Sequence, residues 1–141
     1  MSDRGEHCGI SPTAQWTAAW AGAAGLGIAN GVARDLLYTD RVGDRAAHQI
    51  STGTLIAALA SYSRLLQRRW PIPNARTAWT IGAIWLSATV AFEFVFGHYI
   101  AGESWGSLAR NYDPRDGRVW GLVPISMALL PAVARRLNSN R

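Results

Sequence analysis

The sequence predicts an all-α fold: a four-helix transmembrane bundle with both termini cytoplasmic, a single integral membrane domain over residues 1–141. Three observations predict it. Four apolar segments recur along the chain, and a hydrocarbon core takes about 20 mostly apolar residues per helix. The composition is 49% hydrophobic and only 16% charged, with seven tryptophans, which is unusual for a soluble domain of this length. The arginines favour one set of alternate flanks over the other, as positive-inside orientation requires.

The first span covers about residues 16–33, WTAAWAGAAGLGIANGVA. It carries no charge around its circumference, whereas a helix lying on a soluble surface shows a polar face. Ala19, Ala23, Gly27 and Gly31 recur every fourth residue. Such small residues let helix backbones approach closely in lipid, so this stripe is expected to be a packing face, within the monomer or in a homodimer. The second span is about 46–66 and the third about 77–102. A short cytoplasmic connector, RRWPIPNAR, separates them. The fourth, about 119–134, is short and contains Pro124 and Pro131, which a transmembrane helix tolerates better than a soluble one.

Orientation follows from the flanks. Arg4, Arg64, Arg68, Arg69, Arg76, Arg135, Arg136 and Arg141 fall on one side. Arg34, Arg41, Arg45, Arg110, Arg115 and Arg118 fall on the other, matched there by acids. The first side is expected to be cytoplasmic. The first 11 residues set Arg4 against Asp3 and Glu6, so no cleaved signal peptide is expected.

All 14 basic residues are arginine, scattered at segment ends with no basic helix face. That pattern argues against nucleic-acid binding. Cys8 is the one cysteine, which excludes an internal disulfide and a paired-cysteine redox centre. No phosphate loop, nucleophile elbow or zincin pattern occurs.

The third span holds the most informative stretch, AFEFVFGHYIAGESW, which sets Glu93 inside an apolar run. At about 100° per residue, Gly82, Leu86, Thr89, Glu93, Gly97 and Ile100 share one side, while Phe92, Phe94 and Phe96 spread over the others. Glu93 is therefore expected to face the bundle, since an ionisable group at membrane depth pairs with another group or marks function. Asn30, Arg34, His48, Ser51, Glu93, His98 and Tyr99 lie at similar depth and are expected to form one polar cluster in the outer half. His98 is about 140° from Glu93 around the helix, so it joins only through another helix. Two readings of the cluster stand: a hydrogen-bonded network that fixes register, or a site for a ligand, a proton or a metal. His48 and His98 supply the haem or metal version. In the third loop, Trp105, Leu108 and Tyr112 at spacings of three and four suggest a short interfacial helix at headgroup level.

FEFVFGHYIAGESW with GRVWGLV, together with ANGVARD and AAHQIS, resembles a family of small four-span bacterial inner-membrane proteins, over about residues 16 to 135. The resemblance implies a multi-pass protein of the bacterial inner (cytoplasmic) membrane and carries no activity to transfer. The functions expected are then a non-enzymatic accessory subunit or small-ligand-binding membrane protein, a proton-coupled transporter acting as a homodimer through Glu93, or a haem or metal redox protein. The partners expected are the lipid bilayer and a larger membrane complex or second copy.

Overall fold

A computed structural model describes residues 9–116 and 119–140. Arg4, His7, Cys8, Arg118 and Arg141 lie outside the described residues. The described chain is all-helical: α1 (Pro12–Leu37), α2 (Thr39–Val42), α3 (Asp44–Arg69), α4 (Ala75–Tyr99), α5 (Trp105–Arg110) and α6 (Leu122–Ser139), with a 3-10 turn at Pro114–Asp116. By length and composition, α4 alone among the described helices is long and apolar enough to cross a membrane by itself. Ala and Gly in α1, and Ser and Thr in α3, dilute the apolar character of those helices.

Local chemistry sets the helix ends. Ser11 caps α1, its Oγ accepting from Ala14 N–H at 3.2 Å, and Pro12 occupies the first turn, where no N–H is needed. Asn74 caps α4 through Thr77 N–H at 2.8 Å. Between α2 and α3 the chain passes through Gly43 at φ 83°, a conformation that a side chain resists. The helix beginning nearest the expected third span ends at Tyr99, not at residue 102. Ala101 and Glu103 N–H turn back onto the carbonyls of Phe96 and Gly97, at 3.0 and 2.9 Å. The fourth helix starts later than residue 119 and runs past residue 134. Val119 and Trp120 carbonyls instead accept from Leu122 and Val123 in a turn, and Pro124 falls in the first helical turn, where its missing N–H is harmless.

The four long helices form a ring. α1 packs on α3 and α4, and α6 packs on both of those, while among the described residues α1 does not meet α6 and α3 does not meet α4. α1 and α4 run parallel, as their matched pairs show. Trp85 Nε1 donates to the Trp16 carbonyl at 2.8 Å, and one turn on Trp20 Nε1 donates to Thr89 Oγ1 at 3.0 Å. Trp16 also donates to the Trp70 carbonyl at 2.9 Å, and its ring lies 5.6 Å from that of Trp85. Both tryptophans are fully buried, so this end of the bundle is closed. Gln67, buried below it, accepts from Ile72 N–H and pins the connector to α4.

The closest helix approaches occur at two glycines. A Cβ on Gly82 would meet the carbonyl oxygen of Ala128 in α6, and a Cβ on Gly22 would meet the Tyr62 hydroxyl. The two should respond differently to alanine. The Tyr62 hydroxyl, which donates to the Ala19 carbonyl at 2.9 Å, is the tip of a side chain that can swing away. Gly22→Ala then loses a hydrogen bond of about 1 kcal/mol and recovers up to about 1 kcal/mol of helix propensity. The expected result is an unfolding midpoint in detergent close to that of the unaltered protein, and a large drop would contradict it.

Candidate functional site

Beyond Trp20 the α1–α4 pair separates. Trp20 still meets Phe92, ring centroids 5.8 Å apart, but farther along the two helices border a cleft of about 800 Å³. From α1 the cleft takes Ala24, Gly27 and Gly31; from α4, Thr89, Glu93 and Gly97. Leu55 and Leu59 of α3 and Val123 and Met127 of α6 form its floor. Nothing lies within 4 Å of a Cβ built on Gly27 or Gly31. The small-residue stripe is thus two different things. Ala19 and Ala23 pack in the core, and Gly27 and Gly31 leave room for the cleft.

Glu93 stands in the cleft wall and faces inward, on the side that the helical spacing predicts. Its neighbours are not the expected ones. Tyr112 O–H donates to Oε2, and Trp120 Nε1 donates to Oε1 at 3.0 Å. Tyr112 arrives from the loop after α5, stacked on Phe94 with ring centroids 5.9 Å apart. Burial, and then the hydrogen bond and charge of Glu93, hold the Tyr112 phenol well above the ordinary tyrosine value, so it stays protonated and donates. Trp105–Arg110 is the short helix that the spacing of Trp105, Leu108 and Tyr112 suggests, capped by Ser104 Oγ. Leu108 is buried against Gly97, where a Cβ would collide with its δ-carbon, and Trp105 is half-exposed. The loop is therefore anchored into the bundle by Leu108 and Tyr112.

The seven residues expected in one polar cluster fall into three groups. Asn30, Ser51, Arg34 and His48 join α1 to α3. Asn30 Nδ2 donates to Ser51 Oγ at 2.6 Å and to its carbonyl at 3.0 Å, and Arg34 Nη1 reaches His48 Nδ1 at 3.4 Å. Arg34 also pairs with Asp35 at 2.8 Å, and that hydrogen bond holds the Asp35 carboxyl below the usual carboxylate range. Glu93 forms the second group with Tyr112 and Trp120. His98 and Tyr99 form the third and do not reach Glu93. His98 stacks on Trp105, ring centroids 3.9 Å apart, and its Nδ1–H donates to the Glu103 carbonyl at 2.8 Å. Tyr99 is exposed beside it. The physical reason is angular: five residues of helix turn His98 away from the Glu93 face. Ile100, expected on that face, caps the helix and is exposed. His48 lines the cleft and His98 does not, so the two imidazoles are not brought to one site. Among the described residues no group of three His, Cys, Asp or Glu side chains is placed to hold a metal.

Trp120 is the site residue that the sequence did not single out. Its one signal was an indole N–H on an apolar segment, a donor that needs an acceptor when buried.

The fold and site define a four-helix ring closed at one end and cleft at the other, with a carboxyl in the cleft wall. Comparison with protein-family models, with curated proteins and with solved structures finds no match to the chain.

Proposed function

We propose that the chain is a small multi-pass protein of the bacterial inner membrane that binds a small ligand in the α1–α4 cleft, as a binding protein or accessory subunit and not as an enzyme. The observation that carries this reading is the cleft itself. Its volume of about 800 Å³ falls within the range of about 300–1,000 Å³ usual for ligand pockets, and its inner wall, between aromatic and aliphatic side chains, carries the oriented carboxyl of Glu93.

The membrane reading draws on the surface. Residues 12–33, 46–63 and 122–134 contain no Asp, Glu, Lys or Arg, and residues 77–97 contain only Glu93. The outward faces of α1 and α6 carry apolar side chains there. Leu122, Ile125, Leu129 and Val133 form an exposed stripe along α6, and Ile28 and Val32 do the same on α1. The 26 residues of α1 and of α3 reach about 39 Å, and the 18 of α6 about 27 Å, against a hydrocarbon core of about 30 Å. Arg64, Arg68, Arg69, Arg76, Arg135 and Arg136 gather at the closed end, which supports placing that end in the cytoplasm.

A native mass spectrum of protein released gently from membranes tests the binding reading. The unaltered protein is expected to carry a bound small-molecule mass, and Gly27→Trp, which fills the cleft, to lose it. A bare monomer in both samples would count against the reading.

A second reading has its own support. Glu93 is an ionisable group within an apolar span and borders a cleft, a feature that marks proton sites in membrane proteins. It requires that Glu93→Gln stop transport while the protein still accumulates.

A further inference from the structure

We infer that the ligand of the cleft is a lipophilic organic cation, an amine or ammonium group on an apolar body, held by Glu93. This deepens the ligand-binding reading above and rests on it.

Charge is the first argument. Both hydrogen-bond partners of Glu93, Tyr112 and Trp120, are neutral donors, and among the described residues no Arg or His joins them. Two fixed donors hold the carboxyl in one orientation. A carboxylate offers about four acceptor directions, so directions remain for a ligand's N–H groups or for a compact positive charge.

The mouth of the cleft does not favour an anion. Arg34 there is already paired with Asp35, and Arg45, Asp44 and Glu103 also line the cleft. His48 also stands at the mouth, its Nδ1 3.4 Å from Arg34 Nη1. Among the described lining residues, once Arg34 is matched with Asp35, Asp44 and Glu103 face Arg45 and His48, so the opening holds no excess of positive charge, and the Glu93 carboxyl lies deeper in. An anionic headgroup would find no unmatched arginine pair there, whereas a cation would meet the Glu93 carboxyl in the wall.

The walls supply the rest. Trp20, Phe92, Phe96 and Trp120 line the cleft. A cation within about 6 Å of an aromatic face is attracted by the ring quadrupole, most strongly where water is excluded. Leu55, Leu59 and Met127 beneath them suit an apolar body.

The test uses three probes on one scaffold: phenethylamine, 2-phenylethanol and 3-phenylpropionate. They present a cation, a neutral group and an anion at pH 7. Each is titrated into the purified full chain in detergent and followed by tryptophan fluorescence and calorimetry. The amine is expected to bind at least about tenfold tighter than the alcohol, a difference of about 1.4 kcal/mol, and the carboxylate not to bind. In Glu93→Gln the amine's advantage is expected to fall to within about twofold of the alcohol. Gly27→Trp, which leaves Glu93 untouched, is expected to remove binding of all three, and it serves as the check should Glu93→Gln fail to accumulate. Equal binding of amine and alcohol, tightest binding of the carboxylate, or an amine preference that survives Glu93→Gln would overturn the cation. If Gly27→Trp still blocked binding in those cases, the cleft reading would stand. No binding of any probe, or binding unchanged in Gly27→Trp, would overturn both.

Discussion

Gly82→Val is expected to leave little folded protein. The α4–α6 contact is built on the absence of a side chain at this position. A Cβ there would press on the Ala128 carbonyl, which belongs to backbone and not to the tip of a side chain. Backbone cannot rotate out of the way, so α4 and α6 must move apart along their contact. Overpacking of a close-packed interior costs about 1–3 kcal/mol and sometimes more. With an unyielding backbone partner the upper end applies, about 3 kcal/mol or more, a large share of a small domain's stability. In the membrane setting proposed above, separated helices would also lose the packing that replaces the hydrophobic effect. Detergent-induced unfolding of purified variants measures this directly. An unchanged midpoint for Gly82→Val would mean that α4 and α6 are not in the contact described.

Glu93→Ala is expected to be nearly as damaging, by a different route. It deletes the acceptor for both Tyr112 and Trp120. A buried donor left without a partner costs about 1–3 kcal/mol, so two of them give about 2–6 kcal/mol. Glu93→Gln should cost about 1 kcal/mol or less. The amide oxygen accepts from Trp120, and the Tyr112 hydroxyl, which both donates and accepts, turns to take the amide N–H. Tyr112→Phe in the Glu93→Ala background should restore part of the loss, because one orphaned donor disappears. A double-mutant cycle over Glu93 and Tyr112 isolates that coupling. If Glu93→Ala unfolds where the unaltered chain does, the two bonds contribute nothing to stability.

The sequence showed the helices more readily than the contacts between them. Ser11 with Pro12, Asn74, and the Gly43 turn are local signals, and each marks an end or a turn where it stands in the chain. The inward direction of Glu93 was also legible, because rotation along one helix is fixed by residue spacing. Its partners were not. Tyr112 and Trp120 lie 19 and 27 residues away. Only the packing of α6 and the anchored loop after α5 brings them in. Grouping residues by depth alone put His98 and Tyr99 with Glu93, although the angle around α4 separates them. The Gly27–Gly31 pair was legible only as a permission. Small residues permit close approach but do not compel it, and nothing within the described chain comes within 4 Å of a Cβ at either position.

The unequal ends of the ring have a mechanical consequence. Trp16, Trp70 and Trp85 act as a fulcrum, and the rest of α1 is a lever arm. Asn30–Ser51 and Tyr62–Ala19 tie α1 to α3, so a tilt of α1 would carry α3 with it. From Trp20 to Leu37 the arm is about 25 Å long, at about 1.5 Å per residue. A tilt of about 5° at the fulcrum then shifts the far end by about 2 Å. That displacement is ångström-scale at the cleft mouth and nearly nil among the tryptophans. The opening can widen or narrow while the closed end keeps its hydrogen bonds.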